Sequence, residues 1–240
     1  MILVGIDFSL NSPAFCICID GVYHWGSITR SDRPAESLLK NSKKPYAILT
    51  ENDSFSIKFI ERLPLPDDYS ERERIKIDYF LEVVLSLWSE IEKIIGDRKN
   101  RQIKIAMEGL SFSSNGNALI DISMATALLR ERICGSIGSE NFYVFSPTSI
   151  KKFALKGNAK KDELYEALSS REKDGTNLDY FCKTLADNKS EWITGAKAVN
   201  KPVDDLVDAT WILLYLREIL EEKNEKKLEK PGKKKLAKVQ

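Results

Sequence analysis

Two short apolar segments that each end in an acidic residue constrain the fold of this chain more than any other feature. Residues 2–8 are almost wholly apolar, with Asp7 near the end, and residues 103–108 finish on Glu108. Near-continuous apolar runs of this length are typical of strands that are buried on both faces of a sheet. A carboxylate at the end of such a strand needs a charged partner, a hydrogen-bond network or a metal ion.

The spacing of apolar and turn residues predicts an α/β fold. Residues 14–19 and 22–28 are predicted strands on either side of Asp20-Gly21, a strong hairpin signal, so the first three strands should form an antiparallel meander. Apolar residues repeat every four positions between Ser70 and Gly96. This repeat predicts a long amphipathic helix, with Ser70 and Glu73 as its capping box.

The rest of the chain continues the α/β pattern. Predicted strands at residues 103–108 and 142–145 alternate with predicted helices, one beginning at about Asn117 and one capped by Ser146. The last strong helix should run from residue 201 to about residue 220. The predicted fold class is therefore α/β, a mixed five-stranded sheet with three antiparallel strands followed by parallel strands, flanked by helices.

We predict one domain over residues 1–222 of the 240, because this length suits a single large core. Segments at about 29–69 and 169–200 break the pattern and are interpreted as insertions, the first with a possible strand at 54–60. Residues 223–240 hold eight lysines and are predicted to be a disordered basic tail. Such a tail is either a solubilising terminus or a flexible arm that finds polyanions.

The composition excludes several classes of protein and of site. No apolar run reaches the roughly 18 residues of a membrane span, and the first residues lack the features of a signal peptide. We therefore expect no membrane partner, and a cytoplasmic protein whose four scattered cysteines stay reduced. His24 is the only histidine, so any catalysis must rest on carboxylates, lysines or hydroxyls.

A pair of acids opens the last predicted helix. Asp205 and Asp208 are three residues apart and share one helix face, and Asp208 precedes an apolar stretch. Acids are also favoured near helix N-termini for purely structural reasons, which accounts for Asp204 and Asp205 better than for Asp208. Together with Asp7 and Glu108, however, the pair predicts a metal site. Oxygen ligands without histidine or thiolate suit Mg²⁺ or Mn²⁺, and such sites commonly serve two-metal phosphoryl transfer.

The acids and their surroundings resemble a known family. Asp7, Glu108 and Asp205-x-x-Asp208-Ala209 resemble the acidic tetrad of RuvC-type Holliday junction resolvases, in the ribonuclease H-like (retroviral-integrase) superfamily. Residues 108–118 resemble the family's acid, wedge loop and helix start, and residues 146–151 and 157–164 resemble its proline-to-lysine helix and glycine-alanine-lysine segment. The resemblance covers about residues 1–28, 70–168 and 201–220. The two extra segments and the lysine tail resemble divergent bacteriophage resolvases.

The resemblance implies roles for individual residues. Asp7, Glu108, Asp205 and Asp208 would be catalytic and hold two Mg²⁺ or Mn²⁺ ions, and Asp205 is preferred to Asp204 because the family pattern has two residues between its acids. Three lysines, Lys151, Lys160 and Lys161, would lie near the DNA backbone, unless they are simply solvated helix residues. Phe112 would insert at the junction, with a core position as the alternative.

The implied activity is that of a crossover junction endodeoxyribonuclease, which cleaves Holliday junctions or branched DNA on opposed strands. A two-fold symmetric substrate suits a homodimer, and a phage-encoded enzyme would act in the host cytoplasm. A ribonuclease H acting on RNA–DNA hybrids and a non-catalytic junction-binding scaffold of the same fold are the alternatives. An actin-like ATPase or sugar kinase also begins with a strand and an aspartate, but Asp7-Phe8-Ser9 lacks the glycine-rich phosphate loop of those folds.

Overall fold

The structure is a computed structural model and describes residues 1–31, 37, 39, 45–62, 64–97, 101–110, 116–195 and 197–228. Within these residues, six strands form one sheet in the order β4-β3-β2-β1-β5-β6. The strands are β1 Ile2–Asp7, β2 Ala14–Ile19, β3 Val22–Ser31, β4 Phe55–Glu61, β5 Ile103–Glu108 and β6 Phe142–Phe145.

The strand pairing confirms the predicted fold class, a mixed α/β sheet with three antiparallel strands followed by parallel strands. The first three strands form the antiparallel meander, β5 pairs in parallel with β1, and β6 pairs in parallel with β5. The predicted count of five strands was wrong. Residues of the segment 29–69 form β4, which pairs in parallel with β3 and is anchored by the buried side chains of Phe55 and Ile60. The possible strand predicted at 54–60 is therefore confirmed, and it is an edge strand of the sheet.

Helices cover both faces of the sheet. In chain order they are α1 Pro45–Thr50, α2 Tyr69–Ile95, α3 Asn117–Ile137, α4 Pro147–Ala154, α5 Lys161–Ser169, α6 Leu178–Asp187, α7 Lys189–Trp192 and α8 Val203–Leu228. None of the helices that the structure describes combines the length and the apolar character needed to cross a membrane. Residues 223–228 of the predicted tail belong to α8, and residues 229–240 lie outside the described residues.

Three of four helix ends predicted from the sequence are confirmed by the structure. Gly96 ends α2 and Gly116 precedes α3, while the Ser146 hydroxyl caps α4 by accepting from the backbone N–H of Ser149. The predicted cap of α2, Ser70, was wrong. The side chain of Asp68 accepts from the backbone N–H of Glu71 at 2.8 Å, so the cap lies two residues earlier.

Alternate residues of β1 separate two apolar layers. Ile2, Val4 and Ile6 pack with α2 and α3 on one face of the sheet. Leu3 lies on the other face, in a layer built largely by α5, α6 and α8. Residues of the segment 169–200 complete this second layer, with Phe181 among the buried side chains. The sheet is therefore enclosed by helices on both faces, and the ends of its strands are the places where polar groups can meet.

Candidate active site

The two strand-end acids lie side by side. β1 and β5 are parallel neighbours whose register pairs Ile6 with Met107, so Asp7 and Glu108 follow at the same end of the sheet. Both side chains are partly buried. Because side chains alternate along a strand, Asp7 shares a face with Gly5, and Glu108 shares a face with Ala106, which packs in the layer of α8. Both acids are thus directed to the face that α8 covers.

Gly5 explains how α8 comes so close to these acids. A Cβ atom at Gly5 would lie 2.3 Å from the backbone oxygen of Ala209 and 2.5 Å from the backbone nitrogen of Leu213. The helix backbone therefore rests directly on β1, two residues from Asp7 and one residue from Asp208. Trp25 Nε1 also donates to Thr210 Oγ1 at 3.0 Å, which ties α8 to β3.

The charges of α8 act on the strand-end acids. Burial raises the pKa of Asp7 well above its usual value, and the negative charges of Asp208 and Asp205 raise it further. Burial, followed by the charge of Asp208, raises the pKa of Glu108 to about 7. Burial and the neighbouring Asp204 raise the pKa of Asp205 to about 6. Asp208, Asp205 and Glu108 therefore lie close enough to Asp7 for their negative charges to raise its pKa.

Two lysines lie against the acids of α8. Lys161, the first residue of α5, places its Nζ 2.8 Å from Asp204 Oδ2 and 3.3 Å from Asp208 Oδ2. Lys201 places its Nζ 3.1 Å from the same oxygen of Asp204 and also contacts Asp205. Burial lowers the pKa of both ammonium groups, but the neighbouring carboxylates outweigh it and leave both pKa values raised.

The other residues predicted to meet DNA lie at different distances from the acids. Lys151 of α4 is close enough to Glu108 for its charge to lower the pKa of that carboxyl. Lys160 is exposed and forms no ion pair with the acids of the site among the described residues, although its backbone N–H donates to Glu163 at 2.8 Å. Phe112 lies outside the described residues, so its predicted role remains a prediction.

Sequence reasoning missed two residues next to the acids. Lys201 precedes Asp204 and Asp205 by three and four positions, a spacing that places side chains on one helical face and could have identified it. Tyr46 of α1 packs its ring against Phe59 at 5.5 Å. Its hydroxyl has a pKa raised by burial and, to a smaller extent, by the charge of Asp205. No local pattern in the segment 29–69 could have indicated this contact.

A cleft of about 260 Å³ opens beside the strand-end acids. Asp7 and Glu108 form part of its wall, and Ile122 and Thr126 of α3 lie across from them. The remaining lining consists of Phe8, Ser9, Met107, Gly109 and Leu110. In an α/β sheet the carboxyl ends of parallel strands are a common place for ligands, and this cleft has that position.

The donor set fits a hard divalent cation. Carboxylate oxygens are the ligands that Mg²⁺ and Mn²⁺ prefer, and Oδ2 of the buried Asp205 has no hydrogen-bond partner among the described residues. In the same part of the chain no three acidic, histidine or cysteine side chains are gathered tightly enough to form a metal-binding group. Lysine ammonium groups engage the α8 acids instead.

The sequence matches no protein-family model and no curated protein. In structure the chain is similar to RuvC of T. thermophilus in complex with a Holliday junction substrate, with 16% identity, coverage of 91% of this chain and 96% of that chain, and a TM-score of 0.40. It is similar to the Thermus thermophilus RuvC structure with 14% identity, coverage of 83% and 99%, and a TM-score of 0.33.

A third similar structure is the Fowlpox virus resolvase in complex with its substrate Holliday junction DNA, with 13% identity, coverage of 92% of this chain and 99% of that chain, and a TM-score of 0.34.

Proposed function

We propose that this chain is a metal-dependent, structure-selective endonuclease, a crossover junction endodeoxyribonuclease that hydrolyses phosphodiester bonds on opposed strands of Holliday junctions or other branched DNA. One observation carries the proposal. Asp7 and Glu108 end two adjacent parallel strands, α8 contacts β1 at Gly5, and the charges of Asp208 and Asp205 act on Asp7. Residues 1–222 would form the single nuclease domain.

Asp7, Glu108, Asp205 and Asp208 would hold two Mg²⁺ or Mn²⁺ ions. When bound, such ions favour ionisation of a water molecule and stabilise negative charge on the reacting phosphate. The carboxylates themselves supply a reason to bind cations, because burial and, after it, their mutual repulsion raise the pKa values of Asp7 and Glu108. A divalent cation between them would remove that repulsion.

The lysines near the site would bind the phosphate backbone. Lys151 lies beside Glu108, and the exposed Lys160 lies next to Lys161 at the start of α5. Contacts of this kind position DNA without reading its sequence, so affinity should fall steeply with salt. Selection of a junction would come from its shape, and the motif resemblance makes the four-way junction the first substrate to test.

A homodimer would suit a two-fold symmetric junction. On α2 the exposed apolar residues Ile77, Leu81 and Leu85 follow one another at intervals of four and form a stripe. Ile120 and Met124 are exposed on α3, which packs against α2. We propose this α2–α3 surface as the dimer contact. The enzyme would act in the cytoplasm, or the host cytoplasm if it is phage-encoded, where its free cysteines remain reduced.

Cleavage of a synthetic four-way junction tests the proposal, with linear duplex, flap and RNA–DNA hybrid as controls and with Mg²⁺ or EDTA. We expect paired nicks on opposed strands, lost in EDTA and reduced at least about a thousandfold by Asp7→Asn, with junction binding retained. Asp187→Asn, an exposed carboxylate in an ion pair with Lys183, is the matched control and should cleave normally.

The other possible results of this experiment would indicate a different function or a different site. Cleavage of the hybrid alone would assign the chain to the ribonuclease H class, and junction binding without cleavage of any substrate would favour the non-catalytic scaffold. Loss of binding in Asp7→Asn with cleavage retained would contradict the assigned site.

A further inference from the structure

Asp204 has a different environment from its neighbours on α8. Its side chain is only 6% exposed, and a single oxygen, Oδ2, receives the ammonium groups of both Lys161 and Lys201, at 2.8 and 3.1 Å. Each lysine also reaches a second carboxylate, Lys161 at Asp208 and Lys201 at Asp205. Asp204 therefore holds the ammonium groups of both lysines. The same two groups also contact Asp205 and Asp208, the α8 acids predicted to bind metal.

The two lysines differ from the acids in exposure. Their side chains are about half exposed, 50% for Lys161 and 48% for Lys201, whereas Asp205 is 1% exposed. A lysine ammonium on a long flexible stem can leave a carboxylate at little steric cost, while a buried carboxylate stays in place. Burying several carboxylates together without compensating charge is strongly unfavourable, so the lysines satisfy a need that the acids create.

We propose that Asp204 is a positioning residue that anchors Lys161 and Lys201 as built-in counter-cations of the acidic site, and that a divalent cation binds by displacing these ammonium groups from Asp205 and Asp208. The inference deepens the proposed function and rests on it. Removing one counter-cation should therefore increase the affinity for metal, the opposite of what loss of a ligand would do.

Isothermal titration calorimetry tests the inference. Mn²⁺ is added to the full chain in the absence of DNA, and the affinity is measured. Lys201→Gln should bind Mn²⁺ about five- to tenfold more tightly, because a competing positive charge is gone. Lys201→Arg keeps the charge and should bind as the unaltered chain does. The matched control is Lys189→Gln, a similarly exposed lysine paired with Glu166 at 2.5 Å, which should leave Mn²⁺ affinity unchanged.

Asp204 needs a separate variant, since loss of a ligand and loss of an anchor both weaken metal binding. Asp204→Asn removes a negative charge and leaves both lysines on Asp205 and Asp208, so Mn²⁺ affinity should fall about tenfold. In the double variant Asp204→Asn with Lys201→Gln, the net charge of the site is restored. Affinity should then return to within about threefold of the unaltered chain. A double variant as weak as Asp204→Asn alone would make Asp204 a metal ligand and overturn the positioning role.

The outcomes separate this inference from the proposed function. Should the unaltered chain bind Mn²⁺ while Lys201→Gln and Lys161→Gln leave the affinity unchanged or weaker, the counter-cation inference alone is overturned. Lys161→Gln also serves as the second variant if Lys201→Gln fails to fold. An unaltered chain that binds no Mn²⁺ and cleaves no junction would overturn the proposed function and this inference with it.

Discussion

Glu108 illustrates the energetic cost of gathering carboxylates at a strand end. Its pKa is raised to about 7 because burial and the charge of Asp208 disfavour the ionised form. In the unfolded chain the same carboxyl titrates near its ordinary value of 4.5. The folded state therefore binds the proton more tightly, and its stability falls as the pH rises from about 4.5 through about 7.

Glu108→Gln should remove this cost. In EDTA at pH 8 we expect the variant to be more stable than the unaltered chain by about 1 to 2 kcal/mol, because one pKa unit corresponds to about 1.4 kcal/mol and the carboxyl is partly solvated. Near pH 4 the difference should vanish, since the carboxyl is then protonated in both states. Urea unfolding of both chains at the two pH values measures this difference in the free energy of unfolding.

Glu163→Gln provides the control for this measurement. The pKa of Glu163 is lowered by its hydrogen bond with Lys156, so its ionised form is favoured in the folded chain. Its replacement should give no gain in stability at pH 8. An equal gain in both variants would show that the effect does not come from the crowded acids.

At the level of elements, the contact between α8 and β1 determines whether the site exists. Gly5→Ala would place a methyl group within 2.5 Å of the α8 backbone, which cannot shift without moving Asp208 away from Asp7. We expect a loss of about 3 kcal/mol in the free energy of unfolding, with junction cleavage reduced more than the folded fraction. Chemical denaturation and cleavage assays measure the two effects.

Gly135→Ala is the matched control for Gly5→Ala. Gly135 lies within α3, and a Cβ there would meet no atom within 4 Å. Alanine should therefore stabilise the chain by about 0.5 to 1 kcal/mol through its helix propensity. Equal effects of the two substitutions would contradict the close approach at Gly5.

The start of α2 offers a second test at the level of elements. Asp68, not Ser70, accepts the hydrogen bond from Glu71. Asp68→Ala should therefore cost about 1 kcal/mol of stability, while Ser70→Ala should change it by less than about 0.5 kcal/mol. Thermal unfolding of the two variants compares them directly. A larger loss in Ser70→Ala would move the cap to the position first predicted from the sequence.

The strands and helices also show which features of the fold and the candidate site can be predicted from a sequence and which cannot. The acids at the ends of β1 and β5 were predictable, because apolar runs that end in a carboxylate are a local pattern. A possible strand at 54–60 was also predictable, but its parallel pairing with β3 was not, since this pairing depends on contacts between distant residues. For the same reason Tyr46 gave no signal, while Lys201 could have been found from its spacing to Asp204.

At the scale of the whole molecule, an apolar stripe on α2 remains exposed in the described part of the chain. Leu81 and Leu85 are 40% and 52% exposed on α2, on the side of the helix away from the core. Leu81→Glu with Leu85→Glu should convert the proposed dimer into a monomer without lowering the melting temperature of the protomer, because neither side chain is in the core. Sedimentation equilibrium measures the oligomeric state.

A functional result should accompany the change of assembly. The monomeric variant should still nick a junction, but the paired nicks on opposed strands should be lost. Val22→Glu, at an exposed position in the β2–β3 hairpin, is the control and should leave the assembly unchanged. A chain that sediments as a dimer with both glutamates in place would assign the contact to another surface.

The order of the site residues along the chain has a consequence for protein synthesis. Asp7 lies in the first strand, whereas Asp205 and Asp208 arrive with α8, almost the whole described chain later. A nascent chain on the ribosome displays the strand acids long before the helix acids emerge. Prematurely terminated products that lack α8 would therefore lack half of the carboxylates of the proposed site, so errors of translation would yield fragments without the proposed nuclease activity.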